Sequence, residues 1–207
     1  LNDANVKHLF ICAEMSKEEI HQRVLTRITD SFAKVFRSAY GKSSSFKAKL
    51  EEVKATANRA TIYCDMPGLT FDDLKRICNA AIDKHGITGF ILDYWQLVGG
   101  HSGKGNEAAH LDAVAQWIAD FCRQKNLWSI VVAQINQNGN TRGSEGIRLS
   151  CDQVYQIHAS GDDNSRSGRW IEMMDTRYTA WQNIGSDESP GLFLNTKGPY
   201  FSETIED

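Results

Sequence analysis

The sequence predicts an α/β protein with a mostly parallel sheet flanked by helices and a C-terminal antiparallel β extension. In the first two thirds of the 207 residues, short apolar runs alternate with segments of helical periodicity. In the last third, short strands are joined by turns, which is typical of antiparallel pairing. Three of the apolar runs end on a polar side chain, and this indicates where a ligand would bind.

These three runs are short and apolar on both faces, as expected for strands buried in a parallel sheet. The runs are 8–13, 87–92 and 129–133, and the residues that follow them are Glu14, Asp93 and Gln134. Open α/β sheets bind ligands at the carboxyl ends of their strands, so we expect the three side chains to converge there. The alternative for each residue alone is that acids and amides often end strands because strand ends meet water.

Helix signals separate the strands. Ser16 with Glu19, and Thr70 with Asp73, have the spacing of capping boxes. The second helix is expected to end at His85-Gly86, and the best helical periodicity lies in Glu107–Lys125. The other predicted elements are an exposed helix at Phe46–Arg59 and strands at Ala60–Cys64, Asp152–His158, Arg169–Asp175 and Gly191–Asn195.

Composition excludes several classes of protein. A hydrophobic content of 41% with 24% charged residues is that of a soluble globular protein, and no apolar run approaches the length of a membrane span. The net charge of −3 means that binding to nucleic acid would need local basic patches. Five cysteines without a Cys-x-x-Cys pair predict reduced thiols and a cytoplasmic location. His101 and His110 lack the partners of a zinc site.

The three residues at the strand ends suit phosphate chemistry. Asp93 offers the hard oxygen ligand that Mg²⁺ prefers. Glu14 could polarise a water molecule, and Gln134 can donate one hydrogen bond and accept another, which suits a phosphate sensor.

Five segments, in order and with matching spacing over nearly the whole chain, resemble motifs of DnaB-type hexameric replicative DNA helicases. Ile11–Ser16 resembles the "LEMS" segment, Ile91–Leu97 the "IDYLQL" Walker B strand, Val132–Gln137 the "SQLNR" motif, Asp152–Tyr155 the "AD-x-V" strand and Met174–Thr179 the "KxRNG" segment. Each motif is weak alone, and the series of five is specific.

The resemblance implies a RecA-like P-loop NTPase core, here a single domain over 1–207, that uses Mg²⁺ and ATP to unwind DNA. It also implies a homo-hexameric ring around single-stranded DNA. Glu14 would be the base that activates the attacking water, and Asp93 would hold Mg²⁺ through water. Gln134 would sense the γ-phosphate, and Arg177 would be an arginine finger in the neighbouring subunit's site.

Two positions depart from the family's motifs. Asp175 stands where the family has a lysine, two residues before the finger, and Gln137 replaces the arginine that closes the glutamine motif. We expect Asp175 to pair with Arg177 in an unassembled subunit, and both changes to alter the rate or coupling of hydrolysis.

The family's Walker A loop, Gly-x-x-x-x-Gly-Lys-Ser/Thr, is absent from the sequence, so the predicted core is incomplete at its N-terminus. The nearest pattern ends at Gly103-Lys104, but Val98 stands in place of the first glycine and Gly105 in place of the hydroxyl. We therefore expect a loop near the ring channel, in which Lys104 faces DNA phosphate.

A second basic segment follows the third strand. The loop expected at 136–148 carries Arg142 and Arg148 among Asn, Gly and Ser, which suits contact with single-strand phosphates. Without the resemblance, a solvated surface loop would be the better interpretation.

Without its phosphate loop, the chain alone is expected to lack useful ATPase activity. The alternatives are a non-catalytic RecA-like module that binds DNA or a ring partner, and a RecA- or KaiC-like ATPase.

Overall fold

A computed structural model describes residues 6–20, 23, 47–48, 51, 60–99, 107–136, 141, 146–159, 168–194 and 201–202. The chain forms two compact units, one of 1–17 and 58–151 and the other of 18–57 and 152–207. The expectation of a single core over 1–207 stays a prediction. Among the described residues, no helix is long and apolar enough to cross a membrane.

The first unit contains a four-stranded parallel sheet, which confirms the predicted fold class. Its strands are β1 (His8–Cys12), β2 (Thr61–Asp65), β3 (Gly89–Asp93) and β4 (Trp128–Val131), in the spatial order β2-β1-β3-β4. Because all four strands run the same way, the residues that follow them lie at one edge of the sheet.

The helices of this unit begin and end largely where local signals placed them. They are α1 (Phe71–His85), a 3₁₀ turn (Trp95–Leu97), α2 (Glu107–Lys125) and α3 (Gly146–Ser150). The capping box of α1 is present, with the Asp73 amide donating to Thr70 Oγ1 at 3.1 Å and the Thr70 amide donating to Asp73 Oδ2 at 3.4 Å. Gly86 ends α1 in the left-handed conformation, at φ 62°.

One face of the sheet is fully buried against the helices. Leu9, Ile11, Phe90 and Leu92 alternate on β1 and β3 and form a single core with apolar residues of α1 and α2. Trp95 in the 3₁₀ turn joins this core with no exposed surface. The packed core therefore fixes the positions of the carboxyl ends of these strands.

The other face is buried or partly buried along β1 and β3, as predicted, with His8 and Cys12 buried there, but the prediction of burial on both faces is wrong for β4. Phe10, Ile91 and Ile130 lie side by side in register on that face, half-buried in β1 and β3 and 50% exposed in β4. Val132 beyond β4 is 42% exposed. The physical reason is that β4 is the last strand of the described sheet, with β3 as its one strand neighbour there.

The second unit contains the predicted antiparallel extension. Its strands are β5 (Gln153–Ala159), β6 (Gly168–Thr176), β7 (Leu192–Leu194) and β8 (Phe201–Ser202), paired in that order. The register of β5 and β6 shifts between Val154 and Tyr155.

Candidate active site at the carboxyl edge of the parallel sheet

Asp93 lies at the tip of β3, where two strands hold it. It is half-buried and sits opposite Cys12 of β1 in the parallel register. Its main-chain oxygen accepts a hydrogen bond from the Ala13 amide at 3.0 Å, and the Cys12 thiol points to Asp93 Oδ2 at 4.0 Å. The Asp93–Tyr94 peptide bond is cis. The carboxylate is thus presented from a fixed main chain at the sheet edge.

Glu14 lies two residues beyond β1, next to Asp93 in strand order, and is exposed. The chain turns there, with the Met15 amide donating to Cys12 Sγ at 3.2 Å. Residues 17–20 are then helical. An exposed carboxylate at this turn can reach solvent, as a residue that accepts a proton from water must.

Asp65, at the tip of β2, is a residue that the sequence interpretation missed as part of this edge. Its Oδ2 accepts a hydrogen bond from the Lys17 amide at 3.2 Å and so caps the helix that follows Glu14. Asp65 ends an apolar strand, as Asp93 does. The same signal, an acid at the carboxyl end of such a strand, could have assigned Asp65 to this edge. Its role is to fix the exit of the chain after Glu14.

Gln134 is exposed and lies three residues beyond β4. Its main-chain amide and its main-chain oxygen each form a hydrogen bond with the side chain of Gln96, which follows β3. Gln96 Nε2 donates to the Gln134 oxygen at 2.9 Å, and the Gln134 amide donates to Gln96 Oε1 at 3.2 Å. The position of Gln134 is therefore set from the β3 side of the sheet.

The fold brings Glu14, Asp93 and Gln134 to the same edge, on the neighbouring strands β1, β3 and β4. Neighbouring strands are about 4.8 Å apart, so the three main-chain positions span about two strand spacings. With Asp65, the edge has three carboxylates on adjacent strands, which favours cations there.

The oxygen donors at this edge fit a magnesium ion. The ligand available at the tip of β3 is one half-buried carboxylate, Asp93. No group of three or more His, Cys, Asp or Glu suited to holding a metal is found in the part of the chain that the structure describes. Mg²⁺ usually binds through one or two carboxylates together with water and phosphate, so a single protein ligand suits it.

Arg177 lies in the second unit, directly after β6. Its amide donates to the main-chain oxygen of Asp152 at 2.9 Å, and its Nη1 lies 3.8 Å from Asp152 Oδ1. The sequence pointed to Asp175 as the partner of this arginine, whereas the ion pair that the structure describes is with Asp152. The two side chains are 47% and 68% exposed, so the pair is weak and easily exchanged.

The predicted DNA-contacting residues divide into two groups. Arg148 was expected in a loop, but it lies half-buried in α3, which packs against α2 through the buried Ile147. The loop prediction was wrong there because Ile147 anchors a short helix in the core. Lys104 and Arg142 lie outside the described residues, as does Gln137, the departure from the glutamine motif.

The five cysteines are all free thiols. Burial raises the pKa of Cys78 to about 12, and burial is also the main cause of the raised pKa values of Cys64 and Cys122. Thiols with raised pKa values are poor nucleophiles, so Cys64, Cys78 and Cys122 are not candidate nucleophiles.

One sequence comparison gives a match over most of the chain. The sequence model of the DnaB-like helicase C-terminal domain matches residues 1–150 of the 207. No curated protein matches the sequence.

Two solved structures show the same fold. The first is described as an "ATPase Domain", with a TM-score of 0.78, 13% identity and coverage of 99% of this chain and 76% of that one. The second is described as a DnaB-like replicative helicase and its interactions with primase, with a TM-score of 0.76, 13% identity and coverage of 97% of this chain and 52% of that one. The chain thus spans about half of the second protein.

Proposed function

The chain belongs to the family of DnaB-like helicase C-terminal domains, and we propose that it is the motor core of a replicative DNA helicase that couples ATP hydrolysis to unwinding. One observation carries the proposal. Three polar residues of the types that phosphoryl transfer needs, Glu14, Asp93 and Gln134, lie on neighbouring parallel strands at one edge.

Each residue has a role that its surroundings suit. Asp93 would hold Mg²⁺ through water, and the ion would neutralise charge on the phosphates. Glu14, exposed beside it, would accept the proton of the attacking water. Gln134 would contact the γ-phosphate with its carboxamide and transmit the state of the site along β4.

The site also needs a phosphate-binding loop, which residues 1–207 do not contain as a Walker A pattern. In the described sheet β4 is an edge strand, which supports an arrangement in which an added strand pairs there and brings such a loop to the strand tips. The helix that follows such a loop would cover Ile130 and Val132, which are 50% and 42% exposed, as helices cover the faces of parallel sheets.

The active form would be a ring of subunits around single-stranded DNA. Arg177 would leave Asp152 and reach the site of a neighbouring subunit, where its guanidinium would stabilise charge on the transferred phosphoryl group. Lys104, Arg142 and Arg148 would contact DNA phosphates.

The test is ATP hydrolysis by the chain joined to the Walker A strand, loop and helix of a DnaB-like helicase. We expect DNA-stimulated turnover that falls at least about a hundredfold in Glu14→Gln and in Asp93→Asn, because each removes a group with a distinct role. Asp83→Asn, an exposed aspartate of α1, is the matched control and should keep full activity.

Two results would oppose the proposal. Full activity of Asp93→Asn in the joined protein would show that Asp93 does not hold the Mg²⁺ ion. DNA binding without turnover in a joined, folded and ring-forming protein would favour the non-catalytic module instead.

A further inference from the structure

The main chains that follow β3 and β4 stay paired as far as Trp95 and Val132. The last hydrogen bonds between them run from the Val132 amide to the Leu92 oxygen at 2.9 Å and from the Trp95 amide to the Val132 oxygen at 3.2 Å. The chain after β3 then enters the 3₁₀ turn, while the chain after β4 continues toward Gln134. From Gln96 onward the turn no longer runs beside the β4 segment as a strand neighbour.

The side chain of Gln96 takes the place of that neighbour. Its carboxamide donates to the Gln134 oxygen at 2.9 Å and accepts from the Gln134 amide at 3.2 Å, so it pairs with both polar groups of one residue. A primary carboxamide is the side-chain group that carries a donor and an acceptor in one plane, as a peptide does. Glutamate would lose the donor, and methionine would lose both.

Gln96 is itself anchored by the residues on either side of it. Trp95 is fully buried, and Leu97 packs against the same core. The turn is closed by the Leu97 amide donating to the Tyr94 oxygen at 3.1 Å and the Val98 amide donating to the Trp95 oxygen at 3.0 Å. The carboxamide is therefore fixed relative to Asp93, three residues earlier in the chain.

We propose that Gln96 is a positioning residue for Gln134, which holds the main chain of the phosphate sensor in register with the metal-binding tip of β3. Its catalytic importance rests on the proposed function. The two hydrogen bonds fix the main-chain dihedral angles at Gln134 and hence the direction in which its side chain leaves the sheet edge. A movement of the Asp93 segment would be passed to Gln134 through this pair.

The first test uses residues 1–207 and needs no activity. Hydrogen exchange of the Gln134 amide should accelerate about tenfold in Gln96→Met, since a hydrogen bond of ordinary strength is lost. Gln96→Glu keeps the acceptor but sets a carboxylate oxygen against the Gln134 oxygen, so it should retain only part of the protection. Gln116→Met, which removes an exposed glutamine that donates to Asp120 on α2, should leave Gln134 unchanged.

Amides of β3 report whether the variant keeps its sheet. If they exchange as in the unsubstituted chain while Gln134 accelerates, the positioning role is supported. Unchanged exchange at Gln134 in Gln96→Met would overturn it.

The second test separates this inference from the proposed function. In the joined, active protein, Gln96→Met should lower kcat about tenfold with little change in KM for ATP, and should add nothing in a Gln134→Ala background. Full activity of Gln134→Ala would refute the sensor role of Gln134 and leave the exchange result standing. A further loss in the double variant would show that Gln96 acts elsewhere and would overturn the inference.

Discussion

Gly89, the first residue of β3, is where a single methyl group should disturb the sheet most clearly. A Cβ added there would lie 2.5 Å from the main-chain oxygen of Trp128 and would overlap the indole ring of the same residue. Gly89 and Trp128 are partners in the parallel register, so β3 and β4 approach each other closely at this point. Alanine at this position requires β4 to move away.

The size of the effect follows from that geometry. Ordinary van der Waals contact begins at 3.4 Å, so the Trp128 oxygen would have to retreat by about 0.9 Å, and a main-chain atom in a sheet cannot do so alone. Overpacking of this kind costs about 1–3 kcal/mol. Without a clash, replacing glycine by alanine within a strand would stabilise the protein by about 0.5–1 kcal/mol. A decrease in the free energy of unfolding of Gly89→Ala would therefore identify the clash.

The assay is equilibrium unfolding in urea, with Gly99→Ala as the matched control. Among the described residues, a Cβ at Gly99 would have one neighbour within 4 Å, the Leu69 oxygen at 3.6 Å, which is ordinary contact. We expect Gly89→Ala to lower the free energy of unfolding by about 1–3 kcal/mol. Gly99→Ala should change it by less than about 0.5 kcal/mol. Equal stability of the two variants would refute the close approach of β3 and β4.

Three further predictions concern α1. Thr70→Ala removes the N-cap hydroxyl and should cost about 1 kcal/mol in the free energy of unfolding, whereas Thr70→Ser should restore most of it. The hydrogen bonds from Arg76 and Thr70 lower the pKa of Asp73 from its ordinary value of 3.8. Ionised Asp73 therefore stabilises the folded chain above about pH 4, and this stabilisation is lost as the pH falls through the lowered pKa. On acidification, the free energy of unfolding of the unsubstituted chain should therefore approach that of Asp73→Asn. If the difference between the two chains grew as the pH fell, the predicted direction of the pH dependence would be wrong. Burial raises the pKa of Cys78 from 9.0 to about 12, so iodoacetamide at pH 8 should label it about a thousandfold more slowly in the native chain than in urea, as mass spectrometry of the Cys78 peptide would show.

The elements that sequence predicts well are those whose signals lie within a few residues of each other. Thr70 and Asp73 are three residues apart and form the capping box directly, and Gly86 ends the same helix because glycine adopts the left-handed conformation without a steric penalty. The bounds of Glu107–Lys125 follow from one uninterrupted helical period. In these cases local chemistry and tertiary packing favour the same structure.

The features that sequence did not predict depend on contacts between distant segments. The bond from Lys17 to Asp65 spans 48 residues, and the pairing of Gln96 with Gln134 spans 38. The exposure of Ile130 depends on which strands flank β4, and apolar composition does not encode that. At the sheet edge, sequence therefore predicted which residues follow the strands, but it missed the contacts that orient them.

The proposed function depends most on binding of the metal–nucleotide complex at the tip of β3. The direct measurement is paramagnetic broadening of backbone amide signals by Mn²⁺–ADP in the chain joined to a Walker A segment. We predict strong broadening at Glu14, Tyr94 and Gln134, little at Gly86 and Thr88 at the opposite edge of the sheet, and loss of the pattern in Asp93→Asn. Broadening that is absent from the strand tips, or that persists in Asp93→Asn, would contradict the account.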